Sequence, residues 1–191
     1  MKKKINLPNK ITLFRMVVVI AILVLALLKP GKQFGTGAFV HDYRTLSILI
    51  LFIIGSFSDF LDGHIARKNN IVTTFGKFMD PIADKLLVNT LFIILTGFGQ
   101  MPWIITVIMI SRDIVVDAIR MIVVEQGTVI AASKLGKLKT VTQMVALILI
   151  VAFPLAGWLV WFAYLAAAAS LVSGVDYFMK NRKVLLSDLR G

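Results

Sequence analysis

The sequence predicts an all-α integral membrane protein of six transmembrane helices, and three observations carry that prediction. Of 191 residues, 58% are hydrophobic and only 16% charged, whereas soluble domains use about 45–50% apolar residues. The mean hydropathy is +0.87. Apolar runs of spanning or near-spanning length recur along the whole chain, and at about 20 residues per span there is room for six helices with short connections and no soluble domain of useful size. One domain over residues 1–191 follows.

The first run, residues 11–28, comes after Lys2, Lys3, Lys4 and Lys10. No convincing small-residue cleavage site follows it, so it reads as a retained span rather than a signal peptide. Pro30 and Gly31 end it, and the second run covers 45–61. The third covers 80–98 and the fourth 101–124, with Gly97, Gly99 and Pro102 as the breakers between them. The fifth, 140–153, is short, and Pro154 marks a tight turn into the sixth at 155–178. There is no internal repeat, linker or low-complexity segment.

Orientation follows from lysine and arginine between the spans. One side collects the N-terminal lysines with Arg15, then Arg67, Lys68, Lys77 and Lys85, then Lys134, Lys137 and Lys139, then Lys180, Arg182, Lys183 and Arg190. The other has Lys29, Lys32 and Arg44. Both termini and the second loop are therefore expected on the cytoplasmic face of the cell membrane. Trp103, Trp158 and Trp161 fall near the opposite ends of spans, as interfacial anchors do. The net charge of +11 points to an anionic leaflet or anionic substrates rather than to nucleic acid. With no cysteine, disulfides, thiolate zinc sites and thiol nucleophiles are excluded.

The chemistry gathers where the second span ends and the third begins. Asp59, Asp62, Gly63, Ala66 and Arg67 have offsets of 0, 3, 4, 7 and 8, one stripe of a helix. Gly76, Asp80 and Asp84, at offsets 0, 4 and 8, share another. If the two helices form a hairpin, four carboxylates meet near the headgroup level. Each charge at a membrane helix centre costs roughly 2.5–3.5 kcal/mol, less near the interface, so cations must offset them. Arg67 and Lys85 fall short of balancing four carboxylates; one or two hard divalent ions, magnesium or manganese, would suffice and prefer oxygen ligands. Two such ions also suit a pyrophosphate and a displacement at phosphorus. Ion pairing or a cation pathway is the competing account. Gly63 and Gly76, with Ala66, leave room for a base or phosphate beside the backbone, although small residues also serve plain helix packing.

The run Asp59-x2-Asp62-Gly63-x2-Ala66-Arg67-x8-Gly76-x3-Asp80-x3-Asp84 resembles the signature of the CDP-alcohol phosphatidyltransferases at every position and spacing, a far more specific signal than a lone glycine motif. The resemblance implies that family's six-helix fold, a homodimer, and an active site in a polar cavity open to the cytoplasm. It implies that Asp59, Asp62 and Asp80 bind metal, that Asp84 is a metal neighbour and the general base, and that Gly63, Ala66, Arg67 and Gly76 hold the CDP moiety. Asn6-Leu7-Pro8-Asn9 with Thr12 and Arg15, Ser111-Arg112-Asp113 with Arg120, and Gly136-Lys137-x-Lys139-Thr140 with Gln143 are similar to the bacterial branch that uses glycerol 3-phosphate. That branch implies CDP-diacylglycerol plus glycerol 3-phosphate giving phosphatidylglycerophosphate and CMP.

The remaining polar residues divide between two accounts. Arg112 is assigned to the acceptor phosphate through its planar fork, and Asp117 with Arg120 to a structural pair; mutual neutralisation of Arg112, Asp113, Asp117 and Arg120 is the plainer alternative. Lys137 and Lys139 complete an acceptor anion site or simply anchor the membrane. Asn9 and Thr12 are assigned to the nucleotide and Arg15 to a phosphate, with helix capping by Asn9 as the alternative. His41 and His64 lie at opposite ends of the second span and are no metal pair. The rivals to the transferase reading are a different acceptor (serine, inositol phosphate or phosphatidylglycerol), an intramembrane prenyltransferase, whose aspartate spacing differs, and a cation transporter, whose repeated halves are missing.

Overall fold

A computed structural model describes residues 7–37, 39–69, 74–125 and 134–188, with side chains at all of these except 7, 8, 59–69, 74–78, 134, 183, 187 and 188. Six long helices run through the described residues: α1 Leu7–Leu27, α2 Tyr43–Asn69, α3 Thr74–Gly97, α4 Trp103–Glu125, α5 Lys134–Ala152 and α6 Val160–Asp188. A single 3-10 turn, Gly157–Leu159, precedes α6. Among the described residues, three stretches are long and apolar enough to cross a membrane, Asn9–Leu27, Leu135–Ala152 and Gly157–Arg182, and Tyr43–Ser58 is a shorter apolar segment. Helices α3 and α4 carry charged residues within their apolar sequence, including Asp80, Asp84 and Lys85 on α3 and Arg112, Asp113, Asp117 and Arg120 on α4.

The expectation of helices alone missed one element. Between α1 and α2 a hairpin pairs β1 Phe34–Thr36 with β2 Phe39–His41, antiparallel, in the register Phe34↔His41, Gly35↔Val40 and Thr36↔Phe39. Gly35 has φ 109°, and a Cβ there would run into the carbonyl oxygen of Phe39. Only glycine fits so close a pairing.

The chain forms two compact units. The first comprises residues 1–95 with 151–156. Its core joins Val18 and Ile22 of α1, Ile48 and Phe52 of α2, and Leu87 and Leu91 of α3, all buried. The helices approach closely at Gly55, where a Cβ would sit 2.9 Å from Leu87 Cδ2 and 3.4 Å from Val18 Cγ1. The opposite face of α1 exposes Val17, Ile20 and Val24, the apolar surface that a lipid-facing helix presents.

Asp42 starts α2 as its N-cap. Its Oδ1 accepts from the Thr45 amide at 2.8 Å and the Thr45 hydroxyl at 2.7 Å, and its Oδ2 from the Gly31 amide at 2.9 Å. Burial works against the Asp42 anion, but the Thr45 and Gly31 hydrogen bonds and the Arg44 charge prevail and hold its pKa below the ordinary 3.8. Arg44 also donates to the Leu28 carbonyl at 3.1 Å just beyond the end of α1, where a cation suits the helix dipole. Buried His41 bridges the Thr45 hydroxyl, 3.3 Å from Nδ1, and the Ala152 carbonyl, 3.0 Å from Nε2.

The second unit comprises residues 96–150 and 157–191. Val116, Ile119 and Val123 of α4 pack with Tyr177 of α6, and Val184 and Leu185 cover them. The break between α3 and α4 is built as the glycines and proline predict: Gly99 has φ 72° and its amide bonds the Thr96 carbonyl at 3.0 Å, a helix C-cap. Thr96 and Thr106 hydroxyls meet at 2.6 Å across the turn. Trp103, Trp158 and Trp161 are exposed.

Candidate functional site

The signature residues fall on the two helices that the sequence chose. Asp59, Asp62, Gly63, Ala66 and Arg67 lie on the last turns of α2, and Gly76, Asp80 and Asp84 on the first turns of α3. The helices extend further than the apolar runs do, because the polar stripe itself continues the helix. Side chains at 59–69 and 74–78 lie outside the described ones, so the geometry available is that of Asp80 and Asp84 and of the α1 residues beside them.

Asp80 and Asp84, both half-buried, stand one turn apart on α3, flanking fully buried Ala83. Pro81 sits between them inside the helix, where its missing N–H removes one backbone bond. The Thr12 hydroxyl donates to Asp80 Oδ1 at 2.5 Å. Thr12 and Arg15, three residues apart on α1, are both fully buried, and Asn9, one turn earlier, is half-buried. An open pocket of about 300 Å³ is lined by Lys10, Ile11, Phe14 and Ser58, the last adjoining Asp59 in sequence.

The donor set is all oxygen: carboxylates one turn apart with a hydroxyl fixing one of them. That chemistry fits a hard divalent ion and not a soft one. Among the described residues no three acidic or histidine side chains gather as a metal-holding group; Asp59 and Asp62, which would complete the set, have no described side chains.

Of the residues assigned to the acceptor, Arg15 belongs to the first unit and Arg112, Lys137 and Lys139 to the second. Asp113, buried on α4, is shared by two cations: Lys139 Nζ donates to Oδ1 at 2.8 Å and to Oδ2 at 3.1 Å, and Arg112 NH1 to Oδ1 at 3.1 Å. Arg112 is anchored twice more on α6, with Nε donating to the Ser170 carbonyl at 3.2 Å and NH2 to Ser173 Oγ at 2.7 Å. Gly174 makes room for it: a Cβ there would lie 3.1 Å from Arg112 Cγ. A buried ion pair gains little over an apolar core, yet removing one partner costs roughly 3–5 kcal/mol. Lys137, by contrast, is exposed, as is Arg120.

Sequence reasoning placed Arg112 and Lys139 on separate tasks from Asp113 and did not single out Ser170 and Ser173. A signal for the serines exists: Ser170, Ser173 and Gly174 are small residues at offsets 0, 3 and 4 in an otherwise apolar span.

The family model described as CDP-alcohol phosphatidyltransferase matches residues 5–169. The chain is 41% identical to a Bacillus subtilis (strain 168) protein named CDP-diacylglycerol--glycerol-3-phosphate 3-phosphatidyltransferase, over 94% of this chain and 97% of the relative. A Mycobacterium tuberculosis (strain CDC 1551 / Oshkosh) protein named "Probable phosphatidylglycerophosphate synthase" is 39% identical, over 90% of this chain and 79% of its own length. A Rickettsia typhi (strain ATCC VR-144 / Wilmington) protein with the same name as the Bacillus one is 32% identical, over 91% and 95%. With a family model spanning most of its length and its signature on α2 and α3, the chain belongs to the CDP-alcohol phosphatidyltransferase family.

Proposed function

We propose that this protein transfers the phosphatidyl group of CDP-diacylglycerol to glycerol 3-phosphate, releasing CMP and forming phosphatidylglycerophosphate for phospholipid biosynthesis. The observation that carries the reading is the near full-length similarity to relatives bearing that reaction in their names, joined to the complete signature on α2 and α3.

Residues 1–191 act as one catalytic domain with six membrane crossings. Both termini and the active site face the cytoplasm of a multi-pass cell-membrane protein, and the working form is a homodimer. The positive-inside distribution of lysine and arginine supports the orientation; the charged residues within α3 and α4 are compatible with spans, since such residues in spans face a polar interior.

Asp59, Asp62 and Asp80, with Asp84, would hold magnesium or manganese, two ions, whose positive charge would offset the charge of the donor's pyrophosphate. The chain's own groups do the rest. Gly63, Ala66, Arg67 and Gly76, with Asn9 and Thr12, hold the CDP moiety. The Thr12 hydroxyl, already donating to Asp80, keeps that carboxylate oriented. Asp84 takes the proton from the attacking hydroxyl of glycerol 3-phosphate as its oxygen bonds the β-phosphorus and the bond to CMP breaks. Arg15, Arg112, Lys137 and Lys139 are the acceptor-phosphate residues.

The test is CMP release by the purified full chain in detergent with CDP-diacylglycerol and magnesium, adding glycerol 3-phosphate, serine or inositol phosphate in separate reactions. Release only with glycerol 3-phosphate is expected. Release with a different acceptor overturns the acceptor assignment, and none with any acceptor overturns the transferase reading.

A further inference from the structure

We propose that Asp113 is a positioning residue for the acceptor: it fixes the Arg112 guanidinium and the Lys139 ammonium relative to each other, so that together they receive one phosphate group. The inference rests on the acceptor reading of Arg112 and Lys139 given above and adds a residue to which that reading gives no role.

The geometry goes beyond charge neutralisation. A carboxylate needed only to offset one cation on a membrane helix could take either partner. Here Oδ1 of Asp113 accepts from both Arg112 NH1, at 3.1 Å, and Lys139 Nζ, at 2.8 Å. A shared acceptor atom holds the two cationic nitrogens within two hydrogen-bond lengths of one another, a spacing that a single tetrahedral anion can bridge. The two cations come from α4 and α5, and Lys139 lies 26 residues from Asp113, so no helical periodicity would keep them together.

The fork of Arg112 is also fixed in its plane. Nε is bound to the Ser170 carbonyl and NH2 to Ser173 Oγ, while Gly174 lets the stem lie against α6. A guanidinium has five N–H donors. Three are engaged by Asp113, Ser170 and Ser173, and among the described residues the other two have no partner. The side chain retains 13% exposure. A cation pinned at three points with donors left over is preorganised for an anion, and little side-chain entropy remains to be lost when the anion binds.

The experiment compares Asp113→Asn, Asp113→Glu and wild type in the full-length protein, measuring kcat and the KM of each substrate by CMP release, with inorganic phosphate as inhibitor against glycerol 3-phosphate. Asp113→Asn should raise the KM for glycerol 3-phosphate and the inhibition constant of phosphate together, by about tenfold. The KM for CDP-diacylglycerol should stay put, and Asp113→Glu should recover part of the loss. Unchanged acceptor KM, or a fall in kcat with both KM values moving alike, overturns the proposal in favour of a structural pair. If Asp113→Asn does not fold, Ser173→Ala removes one anchor of the Arg112 fork: a selective several-fold rise in acceptor KM supports the proposal, and no change overturns it. Absence of glycerol 3-phosphate-dependent release in the wild type is a separate outcome, which overturns the function itself and the positioning role with it.

Discussion

Thr12 on α1 donates its hydroxyl to the carboxylate of Asp80 on α3 at 2.5 Å, across 68 residues of sequence. A hydrogen bond to a charged group contributes about 1.5–3 kcal/mol, and 1.4 kcal/mol is a tenfold change in an equilibrium constant. Thr12→Val should therefore raise the magnesium concentration for half-maximal activity by about tenfold, with Thr12→Ser close to wild type. A magnesium titration of CMP release reads this directly.

Asp84→Asn should lower kcat by about 10²-fold or more, the usual contribution of a general base. Manganese binding, followed by paramagnetic resonance, should persist through the remaining aspartates. Near wild-type turnover with metal bound would remove Asp84 from the proton transfer.

Chelation should abolish CMP release, and magnesium or manganese should restore it. Because buried apolar residues such as Val18, Ile22, Phe52, Leu87, Val116 and Val123 pack the helices of each unit, the circular dichroism of the chelated protein should be unchanged.

Gly55→Leu should destabilise the first unit by about 1–3 kcal/mol, the usual cost of overpacking. The new side chain meets Leu87, itself fully buried, and cannot displace it freely. A lowered detergent melting temperature with intact substrate KM values is the expected signature; Gly55→Ala should show a smaller shift.

The Asp42 cap makes a prediction in pH. Its folded pKa lies below 3.8, so the cap's stabilisation is complete above that value and declines as pH falls through the folded pKa, where the proton displaces the Thr45 and Gly31 bonds. At neutral pH, Asp42→Ala should cost about 1 kcal/mol, and the gap between variant and wild-type melting temperatures should close below pH 3.8.

What the sequence made legible is what periodicity and composition encode. The six apolar runs each fall on one of the long helices, Gly99 and Pro102 mark the α3–α4 turn, and the signature residues sit at the ends of α2 and α3. Where the helices run longer than the apolar runs, polarity is the reason. Hydropathy registers only apolar stretches, so it placed the third helix at residue 80, while the polar stripe carrying Gly76 extends α3 back to Thr74. The hairpin escaped because three-residue strands leave almost no pattern. Nor could sequence show that Thr12 meets Asp80 or that Lys139 meets Asp113, since such pairings depend on tertiary approach. Asp113 was visible as a charge in a span, but its sharing between two helices was not.

The tether from His41 to the Ala152 carbonyl belongs to the first compact unit, which takes in residues 151–156 from far down the chain. Biogenesis of that unit consequently cannot finish when its own three helices have been synthesised. At roughly 5–20 residues per second, the ribosome needs on the order of several more seconds to deliver Ala152, and throughout that interval the imidazole of His41 lacks its acceptor. An insertion intermediate truncated before residue 150 should thus leave the hairpin open to proteases, and protection should arrive abruptly once the end of α5 emerges.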